Sequence, residues 1–222
     1  MNNYNIMNAQ TPFIVALAGG SGSGKTTLSK IITSSLPWDV TVVPLDQFYK
    51  DVTHLPMAER KKINFDVPES LDMDLACQAI YNLAHGRDTN IPVYDFAANN
   101  RSTKTQLLHP NPVILFEGMH TLFHKPLLEL YDLSVFLDID EQTRLQRKIE
   151  RDIAERGRDY KSVLEMWKNY TQPMHDIYVQ PTNVRADLRF TDTFTPQVIR
   201  VVTDTIQQKI NLKLNVFSVM PV

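Results

Sequence analysis

Two hydrophobic rhythms alternate along this chain. Phe13-Ile14-Val15-Ala16-Leu17-Ala18 and Val113-Ile114-Leu115-Phe116 are unbroken apolar runs, the pattern of strands covered on both faces of a parallel sheet. Shorter runs predict further strands over 41–45, 133–139 and 186–191. Between them, apolar residues three and four apart predict helices over 27–36, which Pro37 stops, and over 71–85, which Gly86 closes. The same spacing predicts helices over 141–155, 160–170 and 196–209. Segments 91–94 and 105–108 predict a small two-stranded excursion. Strands alternating with helices give an α/β fold with a mainly parallel sheet. No repeat, low-complexity tract or linker divides the pattern, so residues 12–222 are expected to form one domain behind a polar tail at 1–11.

Composition narrows the class without naming a function. With 43% hydrophobic and 22% charged residues, the chain is an ordinary globular mix, which excludes disordered and fibrous classes. Lys+Arg 23 against Asp+Glu 25 leaves a formal charge of −2, so the basic excess of a duplex nucleic-acid binder is missing. A single cysteine, Cys77, cannot form an internal disulfide. The apolar run at 13–18 is too short to span a bilayer. The Asn-rich residues before it lack the basic region of a signal peptide. No membrane or nucleic-acid partner is expected, and the cytoplasm is the expected compartment.

The glycines change the picture. There are seven, and Gly19, Gly20, Gly22 and Gly24 fall within six residues. Gly19-Gly20-Ser21-Gly22-Ser23-Gly24-Lys25-Thr26 fits G-x-x-x-x-G-K-[ST], and it follows a buried strand and opens a helix, as a phosphate-binding loop requires. Glycines let successive backbone N–H groups turn toward a phosphate, and the helix start through Thr27 adds its partial positive charge. Lys25 would reach the β- and γ-phosphates, and the Thr26 hydroxyl would face Mg²⁺. This pattern predicts a nucleoside-triphosphate site. No Asn-Lys-x-Asp motif occurs, which counts against a GTPase.

Chemistry beyond phosphate binding must come from carboxylates at the strand ends. Asp46 directly follows the second strand, on the edge where parallel strands present their C-terminal ends. It could take a proton from a substrate hydroxyl, or it could cap a helix. Glu117 ends the 113–116 strand and could bind Mg²⁺, directly or through water, or be a surface acid. Arg144, Arg147, Lys148 and Arg151 share one helical face, followed by Arg156 and Arg158. Interleaved acids permit a salt-bridged surface helix. Beside a triphosphate site, the better reading is an arginine-bearing lid that steadies developing charge. His120 and His124 stand four apart, but no third ligand completes a zinc motif.

These residues, taken with several ordered blocks, resemble one family. Asp46-Gln47-Phe48-Tyr49, Asn64-Phe65-Asp66-Val67-Pro68, Pro92-Val93-Tyr94-Asp95-Phe96, Glu117-Gly118 and Arg151-Asp152-Ile153-Ala154-Glu155-Arg156-Gly157-Arg158-Asp159 follow the loop in order. The likeness to uridine (uridine–cytidine) kinases of the phosphoribulokinase/uridine kinase superfamily runs from about Pro12 to Thr191. It implies a P-loop kinase fold with a helical lid and ATP- or GTP-dependent, Mg²⁺-assisted phosphorylation of a nucleoside 5′-hydroxyl in a homotetramer. The resemblance makes Asp46 the general base, and Arg151 and Arg156 the cations facing the donor phosphates. It gives Asp66 to the ribose hydroxyls, and Tyr49, Tyr94, Phe96 and Arg158 to the nucleoside. Asn99 stands where the family usually has His, Met166 where it often has Gln, Lys148 where it often has Arg, and Val67 where it has His. All four leave phosphate handling intact and bear on which acceptor is used. Another small alcohol, such as a different nucleoside, pantothenate or a sugar phosphate, is the competing acceptor. A nucleotide-binding regulator without turnover is the competing class.

Overall fold

A computed structural model describes residues 11–192 and 195–219, with side chains as far as 213. Apart from Thr11, the polar tail expected at 1–11 lies outside the described residues. Five strands form a wholly parallel sheet in the order β2-β5-β1-β6-β7: β1 Phe13–Gly19, β2 Val40–Pro44, β5 Val113–Glu117, β6 Leu133–Leu137 and β7 Leu188–Phe190. β3 Thr89–Asp95 and β4 Asn100–Leu108 pair antiparallel as a separate hairpin, the expected excursion with longer arms.

Every residue of β1 is buried, which is why its sequence is a continuous apolar run rather than an alternation. Val15 and Leu17 face helix α1, Lys25–Ser35, through Leu28 and Ile32, and helix α5, Pro196–Val219, through Val202 and Ile206. Ile14 on the other face packs with helix α2, Met73–Ala84, through Ala79, Ile80 and Leu83. Helix α3, Glu141–Arg156, and helix α4, Tyr160–Met166, complete the named helices. Asp140 caps α3 by accepting from the Thr143 N–H at 2.9 Å, and Gly157 at φ 62° closes it. That left-handed residue is a natural helix stop.

The structure departs from the sequence expectation in several places. β2 is Val40–Pro44, one residue earlier than the expected strand, and β7 is only Leu188–Phe190. α5 extends well past 209. The helix expected over 160–170 ends at Met166 and gives way to a π-helical turn, Trp167–Thr171, then to a second one at His175–Val179. A π turn holds one extra residue, which a 3.6-residue hydrophobic period does not reveal.

Register sets up the site. Leu17 of β1 and Pro44 of β2 both stand opposite Glu117 of β5. The carboxyl ends of these three strands therefore open on one edge, where ligands bind in sheets of this kind.

Candidate active site

β1 ends at Gly19, and the chain turns through 19–26 into α1. Gly22 and Gly24 have φ of 78° and 93°, a region that side-chain-bearing residues rarely enter. Space is equally restrictive. A methyl on Gly22 would run into the Arg144 carbonyl, and one on Gly20 would sit 2.7 Å from Arg144 Nη1 and 2.8 Å from His175 Nδ1. α3 and the second π turn thus form a floor directly beneath the loop. The Ser23 N–H donates to the Gly20 carbonyl at 3.1 Å and closes the turn. α1 begins at Lys25 without a side-chain cap, so its first N–H groups remain available to an anion. Ser21 and Thr26 border the cavity, and Thr27 follows, exposed, in the first turn of α1. Lys25 is buried and folds back, donating from Nζ to the carbonyls of Gly19 at 2.9 Å and Gly20 at 3.0 Å. Burial lowers its pKa, against the opposing pull of Glu117 and Asp46.

Both strand-end acids face the same cavity of about 690 Å³. Asp46 lies inside the 3-10 turn Leu45–Phe48 that follows β2 at once, and Pro44 holds the N-cap position of that turn. The helix-cap reading of that residue is therefore not what its local structure expresses. Glu117 is only 8% exposed and accepts from Thr26 Oγ1 at 2.9 Å. Burial raises its pKa, with Lys25 opposing. A carboxylate beside a threonine hydroxyl is a hard oxygen pair of the kind Mg²⁺ prefers.

The basic residues of α3 and the turn after it fall into two groups in the structure. Arg144 is buried beneath the loop, with Nε donating to the Ile139 carbonyl at 3.0 Å and Nη2 to Gln172 Oε1 at 2.8 Å. Arg147 reaches the Ser23 carbonyl at 3.4 Å. Lys148, Arg151, Arg156 and Arg158 instead line the cavity and converge on Asp152. That carboxylate is fully buried and lies 3.0 Å from Lys148 Nζ, 2.8 Å from Arg151 Nη2, 3.6 Å from Arg156 Nη1 and 3.1 Å from Arg158 Nη1. Burial alone would raise the Asp152 pKa, but Lys148, Arg151 and Arg156 outweigh it and hold it at about 2. In the sequence Asp152 is one of the acids interleaved with the basic residues and a member of the 151–159 block. Its place four residues after Lys148 was the available signal.

An aromatic wall lines the same cavity. Tyr49 meets the ring of Phe65 at 5.3 Å and that of Tyr94 at 5.0 Å, and Tyr94 meets Phe96 at 5.1 Å. The Arg156 guanidinium lies over Phe96 at 4.9 Å, joining the hairpin tip to the basic cluster. Asn99 occupies the turn between β3 and β4 at φ 46° and borders the cavity. Met166, at the end of α4, has Sδ 3.2 Å from Arg158 Nη1. Asp66 is held through its backbone, its N–H donating to Asn64 Oδ1 and its carbonyl 3.0 Å from His120 Nε2. Burial raises the Asp66 pKa, with Lys148 opposing. His124 faces Asp74 at 3.9 Å, so the two histidines are engaged separately.

The structure therefore brings Ser21, Lys25, Thr26, Asp46, Tyr49 and Asp66 to one cavity with Tyr94, Phe96, Asn99, Glu117 and Met166. Lys148, Arg151, Arg156 and Arg158 stand on the same lining. Gly19, Gly20, Gly22, Ser23 and Gly24 shape the loop behind it. Sequence reasoning missed His175 and Thr171, which the π turns deliver from more than a hundred residues away.

Comparison with known proteins agrees with this geometry. Residues 14–198 match the model of the phosphoribulokinase / uridine kinase family. The uridine kinase of Staphylococcus carnosus is 38% identical over 207 residues, covering 92% of this chain and 99% of that protein. The uridine kinase of Streptococcus gordonii is 39% identical over 178 residues, covering 80% and 85%. Among solved structures, phosphoribulokinase from Rhodobacter spheroides superposes with a TM-score of 0.64 at 16% identity, covering 84% of this chain and 74% of that one. A structure described as a possible uridine kinase from Bacillus stearothermophilus gives 0.56 at 17%, covering 82% and 90%. Identities this low speak for the fold alone. The family match across most of the sequence and the curated relatives carry the assignment further: the chain belongs to the phosphoribulokinase/uridine kinase family.

Proposed function

We propose that this chain transfers the γ-phosphoryl group of ATP to the 5′-hydroxyl of a pyrimidine nucleoside, uridine or cytidine, giving the 5′-monophosphate and ADP. The observation that carries the reading is one cavity lined by Lys25 and Thr26 of the glycine loop, by the carboxylates Asp46 and Asp66, and by the rings of Tyr49, Tyr94 and Phe96. Curated relatives named uridine kinase support the acceptor class.

In this reading the new bond joins the nucleoside O5′ to the γ-phosphorus as the bond from that phosphorus to the β,γ-bridging oxygen breaks. Asp46 accepts the hydroxyl proton. Lys25 exchanges its two loop carbonyls for the β- and γ-phosphates. Arg151 and Arg156 turn from Asp152 toward the charge that grows on the transferring oxygens. Asp66 accepts from the ribose hydroxyls, and Tyr49, Tyr94 and Phe96 flank the base. Asn99, Lys148, Arg158 and Met166 border its polar edge. Thr26 and Glu117 would hold Mg²⁺, which when bound offsets the negative charge of the phosphates. GTP is the alternative donor that the resemblance allows, and pyrimidine salvage as a cytoplasmic homotetramer is the setting it implies.

Release of ADP with ATP and Mg²⁺ against a panel of uridine, cytidine, other nucleosides, pantothenate and sugar phosphates tests the proposal. Stimulation by uridine or cytidine is the expected result. Stimulation by another alcohol alone would move the acceptor, and stimulation by none would leave a nucleotide-binding regulator.

A further inference from the structure

We infer that Thr171 is a positioning residue for ribose recognition: its hydroxyl fixes the Asp66 carboxylate so that it favours a vicinal diol over a 2′-deoxyribose. The inference rests on the nucleoside reading above and adds to it a residue outside the cavity lining. Thr171 is 2% exposed, and its Oγ1 donates to Asp66 Oδ2 at 2.8 Å across 105 positions of sequence.

The local backbone makes that bond unusual. A threonine inside a helix commonly turns its hydroxyl onto the carbonyl four residues back. Thr33, Thr203 and Thr205 all do so here, donating to Ser29, Ile199 and Val201 at 2.9, 3.0 and 2.7 Å. Thr171 closes the π turn Trp167–Thr171, where the Gln172 N–H bonds back to the Trp167 carbonyl. The hydroxyl donates to the acid instead of to its own helix. Such turns often mark functional positions.

Asp66 needs this restraint. Asn64 and His120 hold its backbone only, and the terminal torsion of an aspartate is broad and soft. A hydroxyl donor on Oδ2 sets the carboxylate plane and uses one lone pair. Oδ1 and the remaining lone pairs stay free for ligand O–H groups. Two neighbouring hydroxyls demand a fixed plane, whereas one can follow a rotating carboxylate. The inference therefore places ribose discrimination on the Thr171 hydroxyl, not on the side-chain bulk.

The test compares uridine and 2′-deoxyuridine as acceptors for wild type, Thr171→Val and Thr171→Ser. Thr171→Val keeps the shape and removes the donor, so KM for uridine should rise about fivefold to twentyfold. KM for ATP should stay within twofold, and the preference for uridine over 2′-deoxyuridine should shrink. Thr171→Ser should restore the preference. In a double-mutant cycle with Asp66→Asn, the second change should add little to the first. If Thr171→Val leaves the preference unchanged while wild type uses uridine, or if Thr171→Ser behaves like it, the inference fails alone. Wild type that phosphorylates neither nucleoside overturns the function reading, and this inference with it.

Discussion

Asp152→Asn isolates the charge that organises the basic wall of the cavity. The substitution keeps the size of the side chain and removes one negative charge from a fully buried position contacted by four cations. The side chains of Arg151, Arg156 and Arg158 are 32%, 27% and 28% exposed, so water can take over part of what the carboxylate supplied. Lys148 cannot be rehydrated in place, because its side chain is 5% exposed. Losing one partner of a buried pair costs about 3–5 kcal/mol. Asp66 remains as a second negative charge near Lys148, which puts the expected loss at the lower end, about 3 kcal/mol. For a chain of this size that corresponds to a Tm about 6–12 °C lower.

Urea and thermal unfolding at pH 7 measure the loss, and the double change Asp152→Asn with Lys148→Met should recover most of it, since removing both partners of a buried pair is often neutral. The pH dependence has a definite sign. Asp152 is held at about 2 against an ordinary 3.8, so its stabilisation is complete above pH 3.8 and fades as pH falls toward 2. The gap between wild type and mutant should close over that window. A gap below about 1 kcal/mol at pH 7, or a double variant no more stable than the single one, would refute this account of the cluster.

Three further outcomes follow from the same geometry. Gly22→Ala should abolish measurable ATP binding by calorimetry, because a methyl there meets the Arg144 carbonyl at a φ of 78°; binding within threefold of wild type would show that α3 does not confine the loop. Asn99→His with Met166→Gln should raise kcat/KM for uridine about tenfold if each restored hydrogen bond contributes near 1 kcal/mol, and a fall would mean that these cavity residues do not read the base. Light scattering should give a particle mass four times the 25.5 kDa of one chain, and a monomer would remove the tetramer from the proposal.

The apolar runs at 13–18 and 113–116 gave away two central strands because burial on both faces leaves no room for polar residues. The loop was equally plain, since its glycines answer a local demand on φ and space. Asp46 and Glu117 were legible as strand-end acids because parallel strands share one edge. What stayed hidden depends on contacts far apart in sequence. Arg144 looks like its neighbours Arg147 and Arg151, yet it alone turns under Gly20. The π turns insert residues without altering composition, so neither Thr171 nor His175 announced its role. His175 shows how much the fold adds: burial and the nearby Arg144 charge lower its pKa to about 4, so the ring sits neutral beneath the loop.

The central claim is phosphoryl transfer to a nucleoside hydroxyl with Asp46 as the base. The most direct measurement follows the labelled γ-phosphate of ATP into uridine monophosphate, with wild type and Asp46→Asn run side by side at saturating ATP and Mg²⁺. Wild type should transfer the label to uridine. Asp46→Asn should lose about 10²–10⁴-fold in kcat, while its affinity for ATP, measured separately, stays within about twofold, because Asp46 follows β2 and not the phosphate loop. A mutant that keeps half of the wild-type kcat, or a wild type that leaves the label on ATP with every pyrimidine nucleoside, would contradict the account.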